Sequence, residues 1–301
     1  MNQNSRLTEQ SMDGSKGIDT RSGSEILAAL VAGQERAVAA VRVAIPQIAI
    51  AAAALAKRLA AGGRLAYAGA GTSIRIAVQD GSELHATFGM AENKILYLIA
   101  GGKGAIFETM ANAEDDVNAG QRDADQLFAT DTLVAVAASG STPYTIAVAK
   151  RAKAKGAFVI AVVNNSGSAL GVLGDVEIVV NSGPEVIAGS TRMAAGTAQK
   201  AALNLLSTLA HIHLGAVYDG LMVNVHLGND KLKQRGAEIV SKISQVSLKQ
   251  ASAALDKSQN QVKAAVLLCS GALDISEAHQ ILEKTKGNLR LALVQLKKDQ
   301  T

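Results

Sequence analysis

Leu65-Ala-Tyr-Ala-Gly-Ala-Gly-Thr-Ser73 is the stretch that decides the architecture: a short apolar run that ends in glycines and hydroxyls. Leu65 to Ala68 is continuous in apolar side chains, the signature of a strand buried on both faces. Four further runs read the same way: Ile95 to Ile99, Leu133 to Ala137, Phe158 to Val163 and Val176 to Val180. Helical stretches separate most of them, so right-handed crossovers predict an α/β fold on a doubly wound, parallel, five-stranded sheet.

Working outward, residues 1–23 are polar and aperiodic, an arm that something else must tie down. Ser24 is expected as the N-cap of a first helix, and a second, Ala-rich helix is expected from Pro46 to about Ala61, ended by Gly62-Gly63. Met193 to Leu214 reads as one long helix. From Val246 no strand is expected, only three short helices with turns near Ser258, Leu273 and Lys286. The expected division is therefore an N-terminal arm and helix (1–45), an α/β domain (46–245) and a small C-terminal helical subdomain (246–301).

Composition excludes several classes. With 48% hydrophobic and 19% charged residues in 301, the chain can bury a full core and is not disordered. Aromatic residues are 3% with no Trp, so stacking platforms for single-stranded nucleic acid lack their material. Lys and Arg number 30 against 26 Asp and Glu, and they are scattered, a balance suited to a small anionic ligand. The single Cys269 makes neither an internal disulfide nor a cysteine zinc site, which fits a reducing compartment. His211 and His213 diverge around a helix and do not form a metal pair. The first 25 residues show no apolar leader segment, and the longest apolar run, Ile48 to Ala56, is far short of the roughly 20 residues that span a bilayer. The expectation is a cytoplasmic protein with no membrane or nucleic-acid partner.

Ligands of an open parallel sheet bind where strands end and helices begin. Three such places here are small and hydroxyl-rich: Gly69-Ala-Gly-Thr-Ser73, Ser139-Gly-Ser-Thr-Pro143, and Gly189-Ser-Thr-Arg192 after Gly183. Glycines let amides approach a phosphate, hydroxyls donate to it, and the helix N-terminus adds a favourable dipole. A dinucleotide fingerprint fails because Ile74 stands at its last glycine, and no P-loop sequence occurs. Thr72, Ser73, Ser139 and Ser141 are the phosphate candidates, with Ser190, Thr191 and Arg192 on the sugar side; Lys200 is secondary.

Gly69-Ala-Gly-Thr-Ser, Asp80-Gly-Ser-Glu83, Ala113-Glu-Asp115, Ala138-Ser-Gly-Ser-Thr-Pro143, Gly189-Ser-Thr-Arg-Met193 and Ala195-Gly-Thr-Ala-Gln-Lys200 resemble the N-acetylmuramic acid 6-phosphate etherase family. The resemblance runs from Thr8-Glu9 through Asn229-Asp-Lys-Leu232 into the helical tail. It implies a sugar-isomerase-like α/β domain, related to that of glucokinase regulatory protein, and a homodimer with sites at the subunit boundary. The implied reaction removes D-lactate from the 3-position of N-acetylmuramic acid 6-phosphate by β-elimination and hydration, with no cofactor and no metal. Two carboxyls serve it, one as acid and one as base. The residues alone leave the two roles exchangeable; the resemblance implies Glu83 as proton donor to the ether oxygen and Glu114 as the group that handles the C2 proton.

Several positions depart from the family pattern. Ile74 stands for a glycine, Leu84-His85-Ala86 for Cys-Pro-Pro, Ala194 for a lysine and Met12 for an asparagine. Ile74 is expected to add bulk beside the ligand, and Ala194 to remove a charge near the bound anion. The other readings open at this point are a non-catalytic sugar-phosphate-binding regulator and a lyase or isomerase on a related amino-sugar phosphate.

Overall fold

The computed structural model describes residues 10, 12 and 14–299. The Thr8-Glu9 match and the start of the expected arm lie outside them. The chain divides into two compact units: the chain up to Ser82 with Asn93–Leu209, and Glu83–Glu92 with Ala210–Thr301.

The first unit carries the sheet. Its strands are β1 (Leu65–Gly69), β2 (Ile95–Ile99), β3 (Thr132–Ala137), β4 (Phe158–Val163) and β5 (Val176–Val179), in the order β2-β1-β3-β4-β5 with every pair parallel. Leu65 sits opposite both Ile95 and Thr132, which aligns the strand ends at one edge. All five residues of β1 and all six of β3 are buried, as their continuous apolar sequence requires. The helices are α1 (Gly23–Val43), α2 (Ile45–Ala60), α3 (Gly71–Phe88), α4 (Val117–Ala124), α5 (Pro143–Ala154) and α6 (Ala194–His213); the last turns of α3 and α6 belong to the second unit. One core joins Ala66, Leu98, Leu133, Tyr144, Val148, Val159 and Leu170.

The N-cap of α1 is Ser22, not Ser24. Glu25 lies three residues after Ser22 and closes a capping box with it: the Ser22 N–H donates to Glu25 Oε2 at 2.9 Å and the Glu25 N–H donates to Ser22 Oγ at 3.4 Å. Ser24 is followed at the same offset by Leu27, which cannot return the bond. α1 and α2 meet at a 62° bend, and among the described residues no single helix is long and apolar enough to cross a membrane.

At the opposite edge from the loops after β1 and β3, Asp131 holds the strand starts. Arg64 Nη2 donates to Asp131 Oδ2 at 2.6 Å and the Phe128 N–H donates at 2.9 Å. Burial by itself would raise this carboxyl, which is 1% exposed, but the hydrogen bonds from Arg64 and from the Phe128 and Arg64 amides outweigh it and hold the pKa below its ordinary 3.8. A carboxyl depressed in the folded state stabilises above its unfolded pKa, and that contribution fades as pH falls from there through the folded value. Asp131→Asn is expected to lose less stability than the wild type between pH 6 and pH 3, read by chemical denaturation at each pH.

The second unit is helical: α7 (Asp230–Ser244), α8 (Leu248–Lys257), α9 (Val262–Cys269), α10 (Ile275–Lys284) and α11 (Leu289–Asp299), with a two-stranded hairpin of β6 (Val217–Tyr218) and β7 (Leu221–Met222). Two expectations are corrected here. Among the described residues four helices, not three, follow Val246, because the three turns each separate two of them. The compact unit begins at Ala210 instead of 246, since Val223, Val225, Leu227 and Val240 share a core with Leu255, Val266, Leu267, Ile281 and Leu296.

Candidate active site

In the order β2-β1-β3, the chain leaves β1 toward one side of the sheet and β3 toward the other, so a crevice opens beyond their carboxyl ends. The β1 loop enters α3 at Gly71, in the left-handed region at φ +53°, and sets Thr72 and the buried Ser73 in the first turn. In the β3 loop the Ser141 N–H and Oγ both donate to Ser139 Oγ, at 3.2 and 3.0 Å. Gly140 between them has φ +66°, and a Cβ there would come within 2.1 Å of Ser168 Oγ. Pro143 opens α5, and the N-cap Thr142 makes no side-chain cap bond, so the first amides of α5 are not claimed by a side chain. A cleft of ≈ 890 Å³ lined by Arg122 and Lys150 shares Ser141 with this loop.

The third loop reaches the same place. A Cβ on Gly196 would lie 3.4 Å from Thr191 O and 3.5 Å from Thr72 Cγ2, in van der Waals contact with both, so the β1 loop and the segment before α6 converge beside Gly196. Ser190 and Thr191 are half-buried; Arg192 is exposed and makes no ion pair among the described residues. Lys200 is exposed on α6.

Three groups that sequence reasoning passed over hold these loops. Asn164, fully buried after β4, donates to Val180 O at 2.8 Å and to Ser182 Oγ at 3.3 Å, and accepts from Gln199 Nε2 at 2.9 Å. Asn165 Nδ2 donates to Ala138 O at 2.9 Å. The Gly-Thr-Ala-Gln-Lys segment thus owes Gln199 to loop architecture. Glu185, 2% exposed, accepts from the Ala194 and Ala195 amides at 3.0 and 2.9 Å and caps α6. Glu185→Ala would orphan both amides, and a loss of about 1–3 kcal/mol is expected by chemical denaturation.

One departure from the family pattern is not where it was expected. Ile74 is fully buried, its Cβ 3.4 Å from the position of a Cβ on Gly69, so its bulk points into the core and not toward the ligand. Ala194 is 1% exposed, and its backbone amide donates to the buried Glu185.

Asp80 centres a buried network. Its carboxylate accepts from Tyr67 Oη at 2.5 Å, Asn204 Nδ2 at 2.6 Å and Ser207 Oγ at 2.9 Å, which ties α3 to β1 and α6. Burial, then the nearby Asp80 charge, raise Tyr67 well above the usual tyrosine range and push Tyr97 up to about 12, so both stay protonated.

Of the two glutamates, Glu114 is exposed in the turn Ala113–Asp115. A Cβ on Gly101, just after β2, would sit 2.9 Å from Met110 Cβ and 3.1 Å from Ala113 Cβ, so this turn packs onto the carboxyl end of β2, at the edge that carries the hydroxyl loops. Glu83 is exposed on α3, a little over three turns past Gly71 and in the second unit. Arg75, earlier on the same helix, donates from Nη2 to Ala105 O at 3.0 Å and to Glu108 O at 3.3 Å. The three loops and the Glu114 turn therefore share one sheet edge.

This arrangement has relatives. The glucokinase regulatory protein N-terminal SIS domain family matches residues 47–153, and the SIS domain family matches residues 103–209. An N-acetylmuramic acid 6-phosphate etherase of Deinococcus radiodurans is 41% identical over 96% of this chain and 95% of its own length. One from Edwardsiella ictaluri is 40% identical over 97% of this chain and 98% of its own. One from Streptomyces avermitilis is 43% identical over 89% and 87%. With that identity sustained along nearly the whole of both chains, and with the loops that carry it gathered at one switch point, this chain belongs to the N-acetylmuramic acid 6-phosphate etherase family.

Proposed function

We propose that the protein is a carbon–oxygen lyase that cleaves the D-lactyl ether of N-acetylmuramic acid 6-phosphate, giving N-acetylglucosamine 6-phosphate and D-lactate. The observation that carries the reading is the convergence of three hydroxyl-rich loops and the Glu114 turn on the carboxyl edge of β1, β2 and β3. Thr72, Ser73, Ser139 and Ser141 take the phosphate, and the uncapped start of α5 adds its amides. Ser190, Thr191 and Arg192 face the sugar.

The chemistry follows from the open-chain sugar, whose C2 proton is acidic because it lies α to the aldehyde. Glu114 removes it; the electron pair forms the C2–C3 double bond as the C3–oxygen bond breaks, and Glu83 protonates the departing lactyl oxygen. Water then adds at C3 and a proton returns to C2. No step asks for a cofactor.

The active species in this reading is a homodimer with its sites at the subunit boundary. At 1.5 Å per residue Glu83 is about 18 Å along α3 from Gly71, longer than a hexose 6-phosphate, so a Glu83 supplied by a second copy fits the reaction better. Leu27, Val31 and Val38 fall on one face of α1 and are 63%, 53% and 56% exposed, an apolar stripe that a second copy would cover. Sedimentation at micromolar concentration is expected to give a dimer, and Leu27→Asp with Val31→Asp a monomer with little lactate release; a monomeric wild type would contradict this. The half-buried, single Cys269 suits a cytoplasmic setting.

The direct test of function is lactate release from N-acetylmuramic acid 6-phosphate by the wild type. Release supports the lyase; no release, with hexose 6-phosphate still bound, would make the protein a binder in place of an enzyme.

A further inference from the structure

The second unit holds a cavity that the proposed reaction does not use. It has a volume of ≈ 420 Å³ and lies among the end of α3, the segment after β7, the α8–α9 loop and the start of α9. Among the described residues every titratable side chain that lines it is basic: His85, His226 and Lys263; the polar remainder is Asn224, Gln259, Asn260 and Gln261, and no carboxylate is in the lining. A pocket with three basic groups, amide donors and no acid is electrostatically unfinished.

Lys263 makes the point most sharply. The residue is 8% exposed, and Nζ donates to one acceptor, Gly287 O, at 2.6 Å. It forms no ion pair among the described residues, and burial pushes its pKa down to about 8. A buried ammonium bound to one carbonyl still has N–H donors to give. The structural role of Lys263, closing the end of α10 at Gly287, uses only part of its donor capacity.

The two histidines face each other with ring centroids 4.7 Å apart, tilted by 40°. His85 Nδ1 lies 2.9 Å from Met90 O, a carbonyl that can only accept, so Nδ1 carries the hydrogen and Nε2 is left for another partner. His226 is exposed, and its backbone N–H is fixed on Ala86 O at 3.1 Å. His85 is one of the positions at which this chain departs from the family pattern, and it lies two residues from Glu83, about 200° around α3, hence on the opposite face of that helix.

We propose that this cavity is a second anion site, distinct from the reaction site, and that its ligand is a small phosphate monoester held by Lys263, His85 and His226. Three basic groups with no acid among them match a dianion better than a monocarboxylate. The volume suits a ligand of sugar-phosphate size. The site is assigned binding and no reaction.

The test is local to this unit and does not depend on the lyase reading. Ring signals of His85 and His226 in the full-length protein, identified through His85→Gln and His226→Gln, are followed by nuclear magnetic resonance while inorganic phosphate replaces chloride at constant ionic strength. Saturable movement of both signals is expected. The midpoint should move at least tenfold higher in Lys263→Met and in the exposed variant His226→Gln, where His85 still reports. Acetate should move the signals at least tenfold less readily than phosphate. Absence of saturable movement, an unchanged midpoint in His226→Gln, or equal response to acetate would overturn the proposal. Lactate release by His226→Gln is expected to equal that of the wild type when no phosphate monoester besides substrate is present.

Discussion

Glu114→Gln and Glu83→Gln are each expected to lower lactate release by about 10²–10⁴-fold, the range for a lost general acid or base. Substrate binding should change little, because phosphate and sugar are held by the hydroxyl loops, and the loss should fall on kcat and not on KM. The variants should differ in one respect. If Glu114 handles the C2 proton, Glu114→Gln also abolishes exchange of the C2 hydrogen of N-acetylglucosamine 6-phosphate with solvent deuterium. Glu83→Gln, which lacks only the donor to the lactyl oxygen, should retain that exchange. The reverse pattern would swap the two roles, which the residues by themselves leave open.

The second large effect is on stability. Asp80→Ala removes the common acceptor of Tyr67, Asn204 and Ser207. Ser207 keeps a weaker bond to Asn204 O at 3.3 Å, but Tyr67 Oη is left buried with no acceptor. A cost of about 3–5 kcal/mol is expected from the unmade bonds, a fall in thermal midpoint of roughly 6–15 °C. Tyr67→Phe removes one donor and leaves the carboxylate with two, so about 1–2 kcal/mol is expected. The two losses should not add, since both variants break the same contact; a double-mutant cycle measures the coupling. Because Asp80 lies one turn before Glu83 on α3, a milder Asp80→Asn that still folds should lower kcat more than it raises KM if the network positions that helix for catalysis.

The strands, their order-independent parallel character and the hydroxyl loops were legible because each depends on a local pattern. Apolar continuity marks β1 and β3, and small residues after them leave room for an anion. The tertiary supports were not legible. Asn164, Asp80 and Glu185 act through partners 35, 127 and 10 residues away, respectively, and no local pattern announces such distances. Gly81 did carry a signal: a Cβ there would lie 2.6 Å from Tyr97 Oη and 2.9 Å from Tyr67 Cε2, so a glycine inside α3 marks where tyrosines of the sheet approach. Asp219-Gly220 carried another, with positive φ of 46° and 77° in the two-residue turn between β6 and β7, a hairpin too short for strand periodicity to reveal. Ile74 was misread because distance along the chain from a loop says nothing of which way a side chain points; it is fully buried.

The same distinction explains the two glutamates. Glu114 is near the hydroxyl loops because Gly101 admits its turn onto the end of β2, which the sequence signals only as two consecutive glycines. Glu83 follows Gly71 by twelve residues on α3, and the proposal that a second copy supplies it combines that helix rise with the homodimer that the family resemblance implies.

The measurement that bears most directly on the account is where solvent oxygen goes. Wild-type protein is incubated with N-acetylmuramic acid 6-phosphate in ¹⁸O-labelled water, and both products are weighed by mass spectrometry. Elimination across C2–C3 followed by addition of water predicts one ¹⁸O at C3 of N-acetylglucosamine 6-phosphate and none in the hydroxyl of D-lactate. Label in the lactate hydroxyl would mean that the bond from oxygen to the lactyl carbon was cut instead, and would contradict the roles given to Glu83 and Glu114.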